Sequence, residues 1–502
     1  MGETAVYTKI LKQLLFSYAV NILVFIIAPI GTFVLSRGLS VSDFGVYALF
    51  FGWWNIGLQM FPFGFQLFIQ NFLPGRSLSE QKQVMSVAFR FVFFILFLLF
   101  VMWFIFGSNM LAGINLDGRE FELFLTLCAI MISVIAVLTH YWIVARQELA
   151  FANFLYLVNS SVWILLSLIE FLFTGKIVLW HVIFFWVVGA FLQLLFSLFK
   201  LGKDSSCILP PTKWDFIIFK RAILFGLPLI PLGVSQWLLT TFDRSLLSVY
   251  QGSAALGLYA LAYALVNIIA SFGTVVANIF YPYIAQAHNL HEKKEYNEFL
   301  NASLKYTLLM VLPSIFGIFV LRNEIITLFA GHKFISSEIF VKYLLFFPLF
   351  SSILLVFQTV VVVNKKSLSV SVVYLFSFFI NYFLNRFLIP IYGGIGASLS
   401  TVITYLFLLL SMIFLSRGLF NIEWNFIKVK RIIFCSLVMA FLLLFMTPAT
   451  AFLKFASILL GILVYFSLIL CLGVFGTEEL FVAKSLLFEK IDKLSSFMKF
   501  NF

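Results

Sequence analysis

Three arginines lie within or beside long apolar runs: Arg37, Arg244 and Arg386, with Asp243 next to the second. A guanidinium costs about 2.5–3.5 kcal/mol at the centre of a membrane span and less where it can snorkel to an interface. Two uses fit it. It can be an interfacial anchor, or part of a local pair of Asp243 with Arg37 or Arg386; or it can join a cationic patch that grips an anion such as pyrophosphate through paired hydrogen bonds. Amides form a second set. Asn55, Gln59 and Gln66 are spaced i, i+4, i+11, which keeps them within about 40° of arc on a helix. Asn267, Ser271 and Asn278 repeat that spacing 212 residues later. Gln236, Thr240 and Asp243 share another face, as do Tyr374, Asn381 and Asn385, and Asn153, Ser160 and Ser167. Such stripes bond neighbouring helices together or wall a wet cavity; their recurrence in both halves favours the cavity. A third set, Arg90, Arg146 and Lys305 with His140, sits at helix ends. It reads as ordinary flanking charge, or as an entrance that collects an anionic headgroup.

The elements that must position these residues are membrane helices. Of 502 residues 63% are hydrophobic and 11% charged, and unbroken apolar runs of span length exclude a transmembrane barrel. The runs predict an all-α integral membrane protein of about fourteen helices. Residues 1–200 form a six-helix bundle, 201–221 a basic cytoplasmic linker, 222–416 a second six-helix bundle, and 417–502 two extra helices and a tail. Expected spans include 44–70, 222–248, 256–282, 338–363, 432–451 and 455–475. "FGVYAL" at 44–49 returns as "LGLYAL" at 256–261, at the start of the second helix of each bundle. Six crossings separate the copies, so the repeat is parallel, an arrangement that places a binding cavity between the halves. With the N-terminus inside, most of the 33 basic residues fall on the cytoplasmic side, as does the C-terminus. The net charge of +12 is thus a topology signal and calls for no nucleic acid.

Some chemistry is missing. There is no GxxxxGK[ST] phosphate loop for nucleotide hydrolysis. His288 and His291 lie in a charged loop without a further spaced ligand set, so no metal site is expected. His181 and Glu170 are titratable groups near helix ends that can carry protons or serve structure. Cys128, Cys207, Cys435 and Cys471 are scattered and read as free thiols. The first helix lacks a cleavage pattern and is expected to be retained. Pro29 and Gly31 in the first helix, and Gly226, Pro228 and Pro231 in the seventh, allow each bundle's lead helix to bend.

The stretches "LSRGLSVSDFGVYALF" (35–50), "FGLPLIPLGVSQWLLTTFDRSLLSVYQGSAALGLYALAYAL" (225–265) and "LIPIYGGIGASLSTVITYL" (388–406) resemble polysaccharide repeat-unit flippases of the O-antigen and capsule (Wzx) type. These belong to the multidrug, oligosaccharidyl-lipid and polysaccharide exporter superfamily. The resemblance covers residues 5–480. Asp43, Phe44, Gly45 and Tyr47 match its first-loop motif, Asp243 and Arg244 its Asp-Arg pair, and Tyr392, Gly393, Gly396 and Ala397 its loop before helix twelve. It implies a V-shaped fourteen-helix fold in a bacterial inner membrane and no enzymatic activity. The implied cargo is an undecaprenyl-pyrophosphate-linked glycan turned to the outer leaflet, with an H+ or Na+ gradient as the driving force. Other polysaccharide-assembly membrane proteins are implied partners. Unlike the related lipid II flippases, the first helix has no interior arginine, which argues against a peptidoglycan precursor.

On this reading Arg37, Arg244 and Arg386 hold the pyrophosphate. Asn55, Gln59, Gln66, Gln236, Asp243, Asn267, Asn278, Asn381 and Asn385 contact sugar or line the cavity, and Arg90, Arg146 and Lys305 form the entrance. A drug antiporter of the same superfamily would want several deep acids, where Asp243 is the one evident candidate. A membrane polymerase or glycosyltransferase would want a long outer loop, and the longest here is about 107–120.

Overall fold

The computed structural model describes residues 20, 23–202, 214–226, 230–420, 426–446 and 450–475. Among the described residues the ordered elements are helical. The first lobe comprises α1 (Leu23–Gly38), α2 (Val41–Met60), α3 (Phe65–Phe72), α4 (Leu78–Ala112), α5 (Glu120–Ala145), α6 (Leu149–Thr174) and α7 (Leu179–Leu201). A short α8 (Phe216–Gly226) leads to the second lobe. That lobe holds α9 (Ile230–Asn289), α10 (Lys293–Phe329), α11 (Glu338–Leu344), α12 (Phe346–Val363), α13 (Ser367–Tyr392) and α14 (Gly394–Ser416). Two further helices, α15 (Phe426–Leu444) and α16 (Ala451–Cys471), close the described chain. Among the described residues ten helices are long and apolar enough to cross a bilayer, and α1 is a shorter apolar one. Pro228 and Cys207, with most of the basic linker and the C-terminal tail, lie outside the described residues.

Helix boundaries follow local chemistry. The run expected as one helix over 44–70 breaks after α2, because Pro62 has no N–H to give and Phe63 and Gly64 turn left-handed, at φ 49° and 78°. The run over 338–363 breaks between α11 and α12, where Pro348 cannot donate to the carbonyl of Leu344. α16 starts earlier than the expected 455 because Thr450 accepts from the Leu453 amide at 3.3 Å and caps it there. α4 begins at a reciprocal cap in which Ser77 and Glu80 bond each other's backbone amides.

The 60-residue α9 holds two crossings. Gly252, at φ 79° and ψ 175°, takes a conformation closed to residues with a β-carbon, so the chain reverses there without a loop. The expected spans 222–248 and 256–282 flank this break. α15 and α16 pack on the outer side of α10. Tyr465 donates to the Leu309 carbonyl at 2.8 Å, and Lys454 to Thr327 at 2.7 Å.

α8 begins the second half by sequence, yet it packs on α3 and α4 of the first lobe. Gln83 donates to Asp215 at 2.8 Å, and Phe225 lies against Phe68 and Phe72. A β-carbon on Gly226 would strike the Phe63 carbonyl oxygen.

Candidate functional site

The lobes meet mainly where α2 crosses α9, and they meet through the repeated phrase itself. A β-carbon on Gly45 would overlap the carbonyl oxygen of Ser253, and one on Gly257 that of Val41. Val41 and Ser253, like Gly45 and Gly257, are related by the 212-residue offset. The seam is therefore two-fold symmetric, main chain on main chain. Ser42 and Ser253 hydroxyls bond across it at 2.5 Å.

Polar contacts extend this seam at the same end of the molecule. Arg37, at the end of α1, donates from Nη2 to the Leu328 carbonyl at 2.6 Å and from Nε to that of Phe329 at 3.3 Å. In return Lys333 donates to the carbonyls of Arg37 and Leu39, at 2.9 and 2.5 Å. Each lobe's cation thus caps the C-terminus of a helix in the other, where exposed carbonyls and the helix dipole favour positive charge. Burial, and then the neighbouring Arg37 charge, lower the Lys333 pKa below the usual lysine value. A second reciprocal pair lies alongside. Asn115 donates to the Val249 carbonyl and Ser248 to that of Ile114, both at 2.9 Å. Deeper in, Trp237 donates to the Gly52 carbonyl at 2.6 Å and Arg244 to that of Ala48 at 3.2 Å.

The arginines consequently do not share one patch, as the sequence reading expected. Arg37 is tied to α10 and Arg386 to the Tyr250 hydroxyl. Arg244 reaches α2, lies over the Tyr263 ring, and keeps a buried Nε without a partner. Asp243, 1% exposed, takes its hydrogen bonds from groups other than Arg37 and Arg386. It accepts from the Tyr259 hydroxyl, the Arg244 amide at 2.8 Å and Thr401 at 3.5 Å.

The amides divide into two groups. Asn381 donates to Thr404 at 3.2 Å and Asn385 to Asn381 at 2.8 Å, so this pair is buried between α13 and α14 rather than on a cavity wall. Thr401 and Thr404 lie one turn apart on α14, the first meeting Asp243 and the second Asn381, while Asn385 Oδ1 has no partner. Tyr374 donates to Gln358 at 2.9 Å. The other group is open. Gln59, Gln236, Asn267 and Asn278 are exposed, and Gln59 faces Gly233 of α9 across the lobe boundary. Asn55 is half-buried and bonds its own helix at Phe51, while Gln66 keeps a buried, unpartnered Oε1.

At the opposite end, Arg146 donates to Gln81 at 3.4 Å and lies over Trp142, holding α5 to α4. Lys305 lies over Tyr306 and Phe475, and Arg90 is half-buried. His140 Nδ1 is buried without a partner. On the sealed side, where the Ile177 amide donates to the Gly38 carbonyl at 3.1 Å, His181 and Glu170 bond at 2.6 Å between α6 and α7. Sequence reasoning missed Lys333, Trp237 and the two serines, because nothing in their spacing marks a contact across lobes.

The two copies of the phrase have diverged in chemistry. Tyr47 sits among Phe51, Trp163 and Trp186, whereas its equivalent, Tyr259, bonds Asp243. Gly31 stands in the first copy where the second has Asp243.

A family model described as "Polysaccharide biosynthesis protein" matches residues 34–338. "Probable lipid II flippase MurJ" of Buchnera aphidicola is 26% identical over 274 residues, 51% of this chain and 52% of that one. "Probable low-salt glycan biosynthesis flippase Agl15" of Haloferax volcanii is 21% identical over 174 residues, 34% of this chain and 37% of that one. The matches thus span about a third and a half of these relatives' length. Among solved structures, "Lipid II flippase MurJ, inward closed conformation" aligns with a TM-score of 0.72 at 18% identity, covering 91% of this chain and 98% of that one. An inward-facing multidrug resistance MATE family transporter of the MOP superfamily aligns at 0.64 and 13%, covering 81% and 95%. The all-helical transporter fold expected from the sequence is the fold found; of the fourteen expected crossings, the described residues give ten helices of span length and the shorter α1.

Proposed function

The chain belongs to the polysaccharide biosynthesis protein family, and from that premise we propose that it is a flippase carrying a lipid-linked glycan between membrane leaflets by alternating access. The observation that carries this reading is the two-lobed repeat, joined at one end by polar contacts between the lobes, with the exposed amide of Gln59 on α2 facing Gly233 of α9. A sugar headgroup needs hydrogen-bonding walls while its lipid tail stays in the bilayer, and Gln59, Gln236, Asn267 and Asn278 suit that task.

The finer reading is an undecaprenyl-pyrophosphate-linked O-antigen or capsule repeat unit in a bacterial inner membrane, with both termini cytoplasmic. The sealed end then faces outward. Arg244, whose buried Nε lacks a partner, is the arginine best placed for the pyrophosphate; Arg37 serves the seal. Other polysaccharide-assembly membrane proteins would take the product.

The buried Asp243 carboxylate, with the Thr401 hydroxyl beside it, suits a coupling cation. A bound H+ or Na+ would neutralise the Asp243 carboxylate there. Deletion of the gene should make a lipid-linked glycan accumulate facing the cytosol, and purified protein in vesicles should move it between leaflets without forming glycosidic bonds. Efflux of a cationic drug without glycan transfer would favour the antiporter reading instead.

A further inference from the structure

The outer loop expected over 107–120 is in large part helical. α4 runs on to Ala112, and a short turn, 113–119, carries the chain into α5. Asn115 and Gly118 take the left-handed region there, at φ 57° and 80°, a conformation that asparagine and glycine adopt more readily than other residues. The turn rests on Leu116, which is buried and whose amide donates to the Leu111 carbonyl at 3.0 Å. It is then held from two sides. Toward the second lobe, the Asn115 amide and the Ile114 carbonyl grip Val249 and Ser248. Toward the first, Arg119 donates from Nη2 to Asp43 at 2.5 Å and from Nη1 to Glu122 at 2.9 Å.

Both carboxylates sit on fixed elements. Glu122 is buried in the first turn of α5. Asp43 lies in the first turn of α2, where its second oxygen accepts from the Ser40 hydroxyl at 2.7 Å, and its neighbour Ser42 is the residue that meets Ser253 across the seam. A planar guanidinium shared between two such carboxylates is held in direction as well as in place. Arg119 therefore ties the turn to α2 and α5 where the lobes meet. The second lobe repeats the arrangement. Its corresponding turn, between α10 and α11, reaches back through Lys333 to the Arg37 carbonyl at 2.9 Å. The two carbonyls so gripped, of Val249 and Arg37, are related by the 212-residue offset. Each lobe thus lays one turn over the end of the other's lead helix, but the grips differ in chemistry. Lys333 is itself the charged donor, whereas Asn115 is a neutral amide whose turn is charged only behind it, at Arg119.

We propose that the α4–α5 turn is a strap that holds the second lobe closed on the first, and that Arg119 is the positioning residue that sets it. With Arg119 paired to Asp43 and Glu122, Asn115 and Ile114 stand where Val249 and Ser248 can meet them. With the pair broken, the turn loses its hold on α2 and the grip on α9 loosens with it. The bearing of this strap on transport rests on the alternating access proposed above. The closure of the lobes does not, and it can be read without cargo.

The full-length protein, in a background without native cysteines, would carry spin labels at positions 176 and 392, where Lys176 and Tyr392 are exposed at this end of the first and second lobes. Distance distributions would then be recorded in detergent without substrate. Arg119→Gln should raise the ratio of separated to closed lobes roughly two- to fivefold, the worth of a partly exposed ion-pair network. Asp43→Asn breaks the same pair from α2 and should do likewise, while Arg119→Lys keeps a cation between the carboxylates and should return the ratio toward wild type. The double variant Asn115→Ala/Ser248→Ala, which cuts the grip itself, should also separate the lobes. In that background Arg119→Gln should add nothing, because the turn it positions no longer holds α9; a residue of merely structural importance would add its own effect. Unshifted distances in Arg119→Gln and Asp43→Asn, or a further shift by Arg119→Gln on the double variant, overturns the proposal. Glycan transfer in vesicles is scored separately, so failure of the flippase reading leaves the distances to decide the strap.

Discussion

Two residues decide whether the lobes can touch. Gly45 and Gly257 admit a carbonyl oxygen where any side chain would stand, so Gly45→Ala or Gly257→Ala forces α2 and α9 apart. Overpacking of this kind costs about 1–3 kcal/mol. A lowered melting temperature and a larger inter-lobe distance by spin-label spectroscopy should both follow. Tyr259→Phe removes the hydroxyl bonded to Asp243 and leaves a buried carboxylate short of a donor, a loss of about 1–3 kcal/mol that thermal unfolding would register. Sequence reading found both glycines and Asp243, because a repeat and a charge within an apolar run are visible in one dimension. It could not say which partner each chose. Asn381 and Asn385 share a polar face just as Asn55 and Gln59 do, yet the first pair turned to α14 and the second stayed at the lobe boundary; a stripe records a helix face and not what that face meets. Lys333 was invisible for the same reason, since its partners lie almost three hundred residues away.

At the scale of elements, the exchange of caps between α1 and α10 behaves as a clasp. Placing cysteines at Ser42 and Ser253, in a background without native cysteines, should give a spontaneous cross-link that arrests transport and is released by reductant. A cross-linked protein that still transports would show that this end does not open. The clasp also responds to pH. Closing lowers the Lys333 pKa, by burial first and by Arg37 second, so closing releases a proton. Closure is therefore favoured as pH rises through the lowered value, and Lys333→Gln should remove that dependence of the inter-lobe distance. α8 acts differently. Although it follows the linker in sequence, it stays with α3 and α4 of the first lobe. Substituting Gln83 or Asp215 by Ala should loosen α8 and alter transport rate more than stability.

At the scale of the whole molecule, the lobes are equal in architecture and unequal in chemistry. The first lobe surrounds Tyr47 with aromatic rings; the second sets an acid beside Tyr259. If the proposed function holds, coupling by a cation would belong to the second lobe, and Asp243→Asn should uncouple transfer from the ion gradient, read as transfer in vesicles with and without that gradient. The seam has one more implication. A contact in which position 41 meets 257 and 253 meets 45 is self-complementary, the geometry of a symmetric pair of identical chains. A gene that fused two such chains end to end would have inherited its pivot ready-made, and selection would afterwards have been free to specialise one half while the shared glycines held the halves in register.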